Sequence, residues 1–217
     1  MKAMRLFYGA DSLVSKPQYG KGNPNNDYGL GFYMTPELRF AKLWASKFNN
    51  GGFAITYDAD ISKLNVLYLN SNSELDILKW ITILVSHRFD KDTYDEYKER
   101  IAWLRKHFYP DLEGVDMIVG YRADDSYFAY SESFVKNELS IEMLSQAMKL
   151  GKLGLQYVLI SKKTFEYISY VNHEPVIHSE EYTRFREETL NEYREIKNND
   201  NDRNTFIRDI IRKYDHD

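Results

Sequence analysis

Residues 27–35 read Asp-Tyr-Gly-Leu-Gly-Phe-Tyr-Met-Thr, and the Tyr-Gly-x-Gly skeleton inside them occurs once before, as Tyr19-Gly20-Lys21-Gly22. Four of the 11 glycines in 217 residues stand in these two skeletons. Glycine is needed where φ is positive or where something approaches the backbone closely. The first need is structural, the second functional. Gly29-x-Gly31 lacks the third glycine of a dinucleotide fingerprint and precedes its strand instead of following it. No Gly-Lys-Ser or Gly-Lys-Thr exists for a phosphate loop. The stretch therefore turns into a short strand, 31–34, and then Thr35, Pro36 and Glu37 supply an N-cap, a first helical proline and an acidic first turn.

Working outward, 4–8 is an apolar strand ended by Gly9, and the loop after it carries Pro17, Gly20, Gly22 and Pro24. The helix expected from Pro36 places Phe40, Ala41, Trp44, Ala45 and Phe48 on one face and ends at Asn49-Asn50-Gly51-Gly52. Strands are expected at 53–57 and 65–69, helices at 74–88 and 92–108, and a further strand at 115–120. An acidic loop, Ala123-Asp124-Asp125-Ser126, follows. Ser140 caps a helix that runs through Leu150 to Gly151, and 155–161 is strongly β-like. After Glu180 the chain turns charged, with sparse apolar residues at helical spacing, as in one or two surface helices with a polar break at 198–201. Strands interrupted by blocks of helices indicate an α+β fold of mostly antiparallel strands.

With 43% hydrophobic residues, 15% aromatic residues and 18 tyrosines, the chain has enough apolar surface for one core. The net charge of −4 speaks against a generally basic nucleic-acid binder. Cysteine is absent, which removes disulfides, thiolate nucleophiles and cysteine zinc sites together. The first residues lack the continuous apolar run of a signal peptide, and Trp80 to Val85 is too short to span a bilayer. The expectation is a cytoplasmic protein with no membrane partner.

Tyr33 on a strand and Trp44, eleven residues later on the next helix, can sandwich a flat heterocycle or pack a core. Asp124 and Asp125 can face a divalent cation or simply form a solvated loop or helix cap; without a third ligand at recognisable spacing, no metal is expected. His87, His107, His173, His178 and His216 form no helical ligand pair. No Gly-x-Ser-x-Gly elbow is present.

Three stretches together resemble a known superfamily. Arg5-Leu-Phe-Tyr8-Gly9-Ala10 is similar to the first strand of ADP-ribosyltransferases, 27–35 to their second conserved strand, and Leu155-Gln156-Tyr157-Val158 to their third. Closer still is a bacterial domain family of unknown function placed in the diphtheria-toxin and poly(ADP-ribose)-polymerase-like superfamily. Residues 27–45, 116–125 and 156–158 match its pattern. The resemblance covers 4–170 and leaves the charged tail outside it.

It implies an ADP-ribosyltransferase-like fold of mostly antiparallel split β-sheets flanked by helices, over residues 1–179, with 180–217 as a charged helical C-terminal extension of the same domain. It implies NAD as substrate, with the Gly9 backbone pairing the nicotinamide carboxamide and Tyr8 in the place of a histidine that bonds the adenosine ribose. Tyr33 holds the place of the stacking tyrosine and Trp44 the spacing of a second stacking ring. Gln156 replaces a catalytic glutamate: it keeps a hydrogen-bond acceptor and lacks the charge. Asp124 or Asp125 is then the candidate substitute carboxylate. The implied activity is NAD-dependent transfer of ADP-ribose to an unidentified macromolecular acceptor, protein or nucleic acid. The alternatives are an NAD or ADP-ribose binding module with weak or lost catalysis, and a partner-binding domain that uses the tail.

Overall fold

Among the residues described by the computed structural model, namely 3–71, 73–89, 91–123, 125–149, 154–201 and 203–215, seven strands form two sheets. The first is antiparallel, in the order β1 (Met4–Ala10), β3 (Gly52–Ala59), β7 (Ile168–Val176). The second runs β2 (Phe32–Met34), β6 (Leu155–Leu159), β5 (Met117–Tyr121), β4 (Val66–Leu69), and β4 with β5 is its parallel pair. The sheets touch at one bridge. Phe7 N–H donates to Thr35 O at 2.8 Å, and Thr35 N–H donates back to Phe7 O at 2.9 Å.

A small core lies between the sheets, with Leu6 from β1, Ile55 and Tyr57 from β3, Met34 from β2 and Leu159 from β6. Period-two alternation divides β5 between two cores: Met117 and Val119 join this one, whereas Ile118 faces the helices. The larger core gathers α2 (Glu74–Arg88), α3 (Lys91–Phe108), α4 (Asp125–Val135), α5 (Ile141–Lys149), α6 (Glu181–Asn198) and α7 (Ile207–Asp215) on the far side of the second sheet. Helix α2 runs through its middle, so an unbroken run from Trp80 to Val85 is buried on every side. Its start is fixed by Ser73, whose hydroxyl accepts from Asp76 N–H at 3.1 Å.

Helix α1 (Leu38–Ser46) lies across β1 and β3. It lies that close because Gly9 and Gly52 are glycines: a Cβ on Gly9 would overlap the carbonyl oxygen of Ala41, and one on Gly52 would stand 3.0 Å from that of Ala45. The helix starts two residues later than Pro36, with Glu37 at its N-cap. Thr35 is held extended by the bridge to Phe7, so it cannot cap, and its hydroxyl only accepts from Glu37 N–H at 3.3 Å.

Three further expectations change. The acidic stretch leads straight into helix α4, which starts at Asp125. Strand β7 is an added strand along β3, exposed over most of its length. The charged tail is not only a surface feature: Ile196, Phe206, Ile207 and Ile210 are buried. Its polar break ties the tail down, because Asp200 accepts from Ser140 N–H and Oγ–H at 2.6 and 2.8 Å. The extension thus shares the main core of the domain. Ser140 caps α5 as expected, accepting from Met143 N–H at 3.2 Å; Leu150 and Gly151 lie outside the described residues.

Candidate functional site

The seam between the sheets opens into a cleft of about 370 Å³. Phe7 spends both backbone groups on Thr35. By the alternation of a strand, Gly9 turns its N–H and C=O the same way two residues further on, where β2 no longer covers the edge. Gly9 lines the cleft, and a Cβ on it would stand 3.0 Å from Cβ of Trp44. It is a glycine because α1 presses on β1; the cleft receives its backbone as a consequence.

Tyr8, Gly9, Tyr33, Trp44 and Gln156 all line this one cleft, delivered by β1, β2, α1 and β6. Tyr8 is half-buried, with its ring centroid 4.6 Å from that of Phe32, and burial followed by the charge of Asp11 raises its pKa. The Tyr33 hydroxyl donates to Gly29 O at 2.6 Å and accepts from Tyr28 N–H at 3.0 Å. Burial, with Asp27 adding to it, pushes this phenol far above its ordinary value, so it stays neutral. The glycines of the quoted stretch now separate by role. Gly29 has φ +74° and supports the turn, its missing side chain leaving room for the His87 ring. A Cβ on Gly31 would stand 2.6 Å from Val158, and one on Gly22 would overlap the carbonyl oxygen of Gly31. The two Tyr-Gly-x-Gly skeletons therefore meet through their second glycines.

Gln156 reaches the cleft with its Oε1 buried and without a hydrogen-bond partner. A buried orphan acceptor costs about 1–3 kcal/mol, and a ligand N–H or O–H at this point removes that cost. Asp124 lies outside the described residues, and Asp125 is described only as the first residue of α4.

Sequence reasoning missed five contributors, Asp27, Arg88, Arg122, Lys47 and Tyr182. Asp27 is buried and holds Arg88, with Oδ1 2.8 Å from its Nη1, while Oδ2 accepts from Ala123 N–H at 2.9 Å. Burial raises the Asp27 pKa; Arg88, the Ala123 amide and Arg122 pull against it. Arg88 also donates to Ala123 O at 2.6 Å, so this pair staples the loop before β2 to the end of β5. Arg122, itself buried, places its guanidinium carbon 3.9 Å from the Trp44 ring centroid. Lys47 Nζ lies 3.7 Å from the same centroid, and the Tyr182 ring meets Trp44 edge-on at 5.7 Å. Asp27 stood inside the quoted motif. The other four have no signal: the partners of Arg88, Arg122 and Tyr182 are distant in sequence, and Lys47, three residues after Trp44, reads as an ordinary lysine at a helix end.

A family model described as "Protein of unknown function (DUF3990)" matches residues 4–170. The chain belongs to this family. No curated protein and no solved structure matches it. Among the described residues no helix is long and apolar enough to cross a membrane. Tyr182, on α6, is thus a cleft residue outside the stretch that the family match covers.

Proposed function

We propose that the cleft binds NAD and that the chain is an NAD-dependent ADP-ribosyltransferase-like protein, which passes ADP-ribose to a macromolecular acceptor. The observation that carries this reading is the convergence of Tyr8, Gly9, Tyr33, Trp44 and Gln156, from four elements, on one cleft. The two sheets meeting at a seam are what a split-sheet ADP-ribosyltransferase-like fold requires. Nicotinamide would lie against Tyr33, its carboxamide paired with the Gly9 backbone. Tyr8 and Gln156 would hold the two ribose units by hydrogen bonds. The bond between the ribose anomeric carbon and the ring nitrogen then breaks, its electron pair stays on nicotinamide, and an acceptor nucleophile adds to that carbon and loses its proton.

One observation favours a second reading, a binding module that turns NAD over slowly or not at all. Asp27 is the cleft's carboxylate among the described residues, and both of its oxygens are already engaged. An amide cannot stabilise a developing cation as a carboxylate does, and loss of one preorganised group costs on the order of a hundredfold in rate. Release of nicotinamide from NAD separates the two. A transferase loses turnover in Gln156→Ala with NAD affinity nearly unchanged, and gains turnover in Gln156→Glu across a pH series. Background release from all three proteins, with NAD still bound, selects the module. Absence of NAD binding defeats both.

A further inference from the structure

Of the first Tyr-Gly-x-Gly skeleton, the fold itself uses Gly22, which lies against Gly31. The rest of it faces solvent: Tyr19 is 50% exposed, Lys21 is exposed, and Gly20, at φ +78°, has open space where a side chain would be. Tyr19 nevertheless has a seat. Its ring centroid lies 6.2 Å from that of Phe165 at an interplanar angle of 74°, Phe165 lies 6.3 Å from Phe32, and Phe32 meets Tyr8 of the cleft. This contact supports the ring while half of its surface stays open, as in a platform on which a flat group can stack.

Cations surround that ring. Lys16 and Lys21 flank Tyr19 in sequence, and Lys162 stands three residues before Phe165 in the 3-10 turn Lys162–Glu166, where side chains at that spacing eclipse. All three lysines are exposed, and none of them is in an ion pair among the described residues. Lys163, by contrast, is held by Asp116 at 2.8 Å. Glu166 follows Phe165 and Asp11 acts on Tyr8, so the local excess of positive charge is small, but from Ser12 to Asn26 the chain has no carboxylate. Four residues beyond Tyr19, at most about 14 Å of chain, the same loop reaches the cleft, which Asn23, Asn25 and Asn26 line. Asn23 Oδ1 accepts from Asn25 N–H at 2.9 Å, whereas the side-chain amides of Asn25 and Asn26 make no hydrogen bond among the described residues.

We propose that the loop 16–26, with Phe165 and Lys162 beside it, binds single-stranded nucleic acid and leads it to the cleft as the acceptor. An unpaired base covers the open face of Tyr19, the lysines meet its phosphates, and the asparagine amides offer donors and acceptors to a base edge at the mouth of the cleft. A duplex keeps its base faces hidden, and an acidic peptide satisfies the lysines but brings no flat group to the ring. The net charge of −4 fits a patch this small, on which stacking carries the affinity and salt modulates it. This inference rests on the NAD reading only for what is done to the strand once it is bound.

The test is fluorescence anisotropy of the full chain with labelled DNA and RNA single strands of about 12 nucleotides, the matching DNA duplex and an oligoglutamate peptide. Wild type binds the single strands more tightly than the duplex or the peptide, and log K falls with log salt at a slope of about −2, the value for three lysines on a single strand. Tyr19→Ala weakens strand binding about tenfold with that slope unchanged, and Tyr19→Phe restores it, as stacking requires. Lys21→Gln weakens it and flattens the slope by about 0.7. Equal affinity of wild type and Tyr19→Ala for the strands overturns the proposal, as does a wild type that binds duplex and strand equally. Preference for oligoglutamate overturns it in favour of an acidic peptide partner. Strand binding without NAD binding leaves the site standing and removes the NAD reading. NAD cleavage by a chain that binds no strand does the reverse.

Discussion

Tyr33 does two separable things: its ring faces the cleft, and its hydroxyl ties Gly29 O to Tyr28 N–H. Tyr33→Phe leaves both backbone groups unpaired and should cost about 1–3 kcal/mol in denaturant unfolding while the response to NAD survives. Tyr33→Ala removes the ring, so a folded Tyr33→Ala with an unaltered NAD-induced thermal shift contradicts the stacking role. His87, packed against Gly29, carries a pH prediction. Burial, and then Arg105, lowers its pKa, so the native state prefers the neutral ring. That contribution is complete above the unfolded value of about 6.5 and is lost as pH falls through the folded one. Wild type should lose more thermal stability than His87→Gln between about pH 7.5 and 5.5; parallel curves would exclude His87 as the source. The residues legible in sequence were those carried by three short stretches, 5–10, 27–45 and 155–158. Asp27 and Arg88 are 61 positions apart, and nothing local announces their pairing.

At the scale of elements, α1 and β1 are fitted to each other through Gly9. Gly9→Ala would drive a methyl into the Ala41 carbonyl and lift the helix that carries Trp44. It should cost upwards of about 2 kcal/mol and abolish ADP-ribose binding, whereas Gly20→Ala, with open space around it, should cost about 1 kcal/mol through its positive φ alone. Equal losses of stability and binding in the two variants would show that the close approach does not matter. Helix α2 was legible end to end because Ser73 marks its start and a long apolar run fills it. Helix α4 was not, since its sequence, DSYFAYSESFV, is rich in residues of middling helix propensity behind an acidic pair. Strand β7 shows no alternation because nearly all of its side chains are exposed, and it carries Pro175. Only its backbone pairing with β3 makes it a strand.

At the scale of the whole molecule, the chain past residue 170 completes both the core and the cleft. Ile207 and Ile210 are buried in the same core as the α2 residues, and Tyr182 adds a ring to the wall that Trp44 forms. Ile210→Ala should cost about 2–5 kcal/mol, a large share of a typical domain's stability. A chain ending at Ser179 should bind a hydrophobic dye and melt without a cooperative transition; a sharp transition would show that the extension is dispensable. The α+β class was legible from the spacing of apolar runs. The depth of the tail was not: charge dominates its composition, and the four buried apolar side chains Ile196, Phe206, Ile207 and Ile210 are too few to change the average.

The two sheets are held to each other by a reciprocal pair of bonds between Phe7 and Thr35, beside the cleft. Leu6 and Tyr8, by strand alternation, direct their amides to β3 instead. Isotope exchange can therefore watch the seam alone. When the sheets part, the amide protons of Phe7 and Thr35 become accessible together, at a free energy below that of global unfolding, while those of Leu6 and Tyr8 stay protected. A ligand seated across the seam should slow that pair and no other on β1. The width of the cleft is in this sense written into two protons.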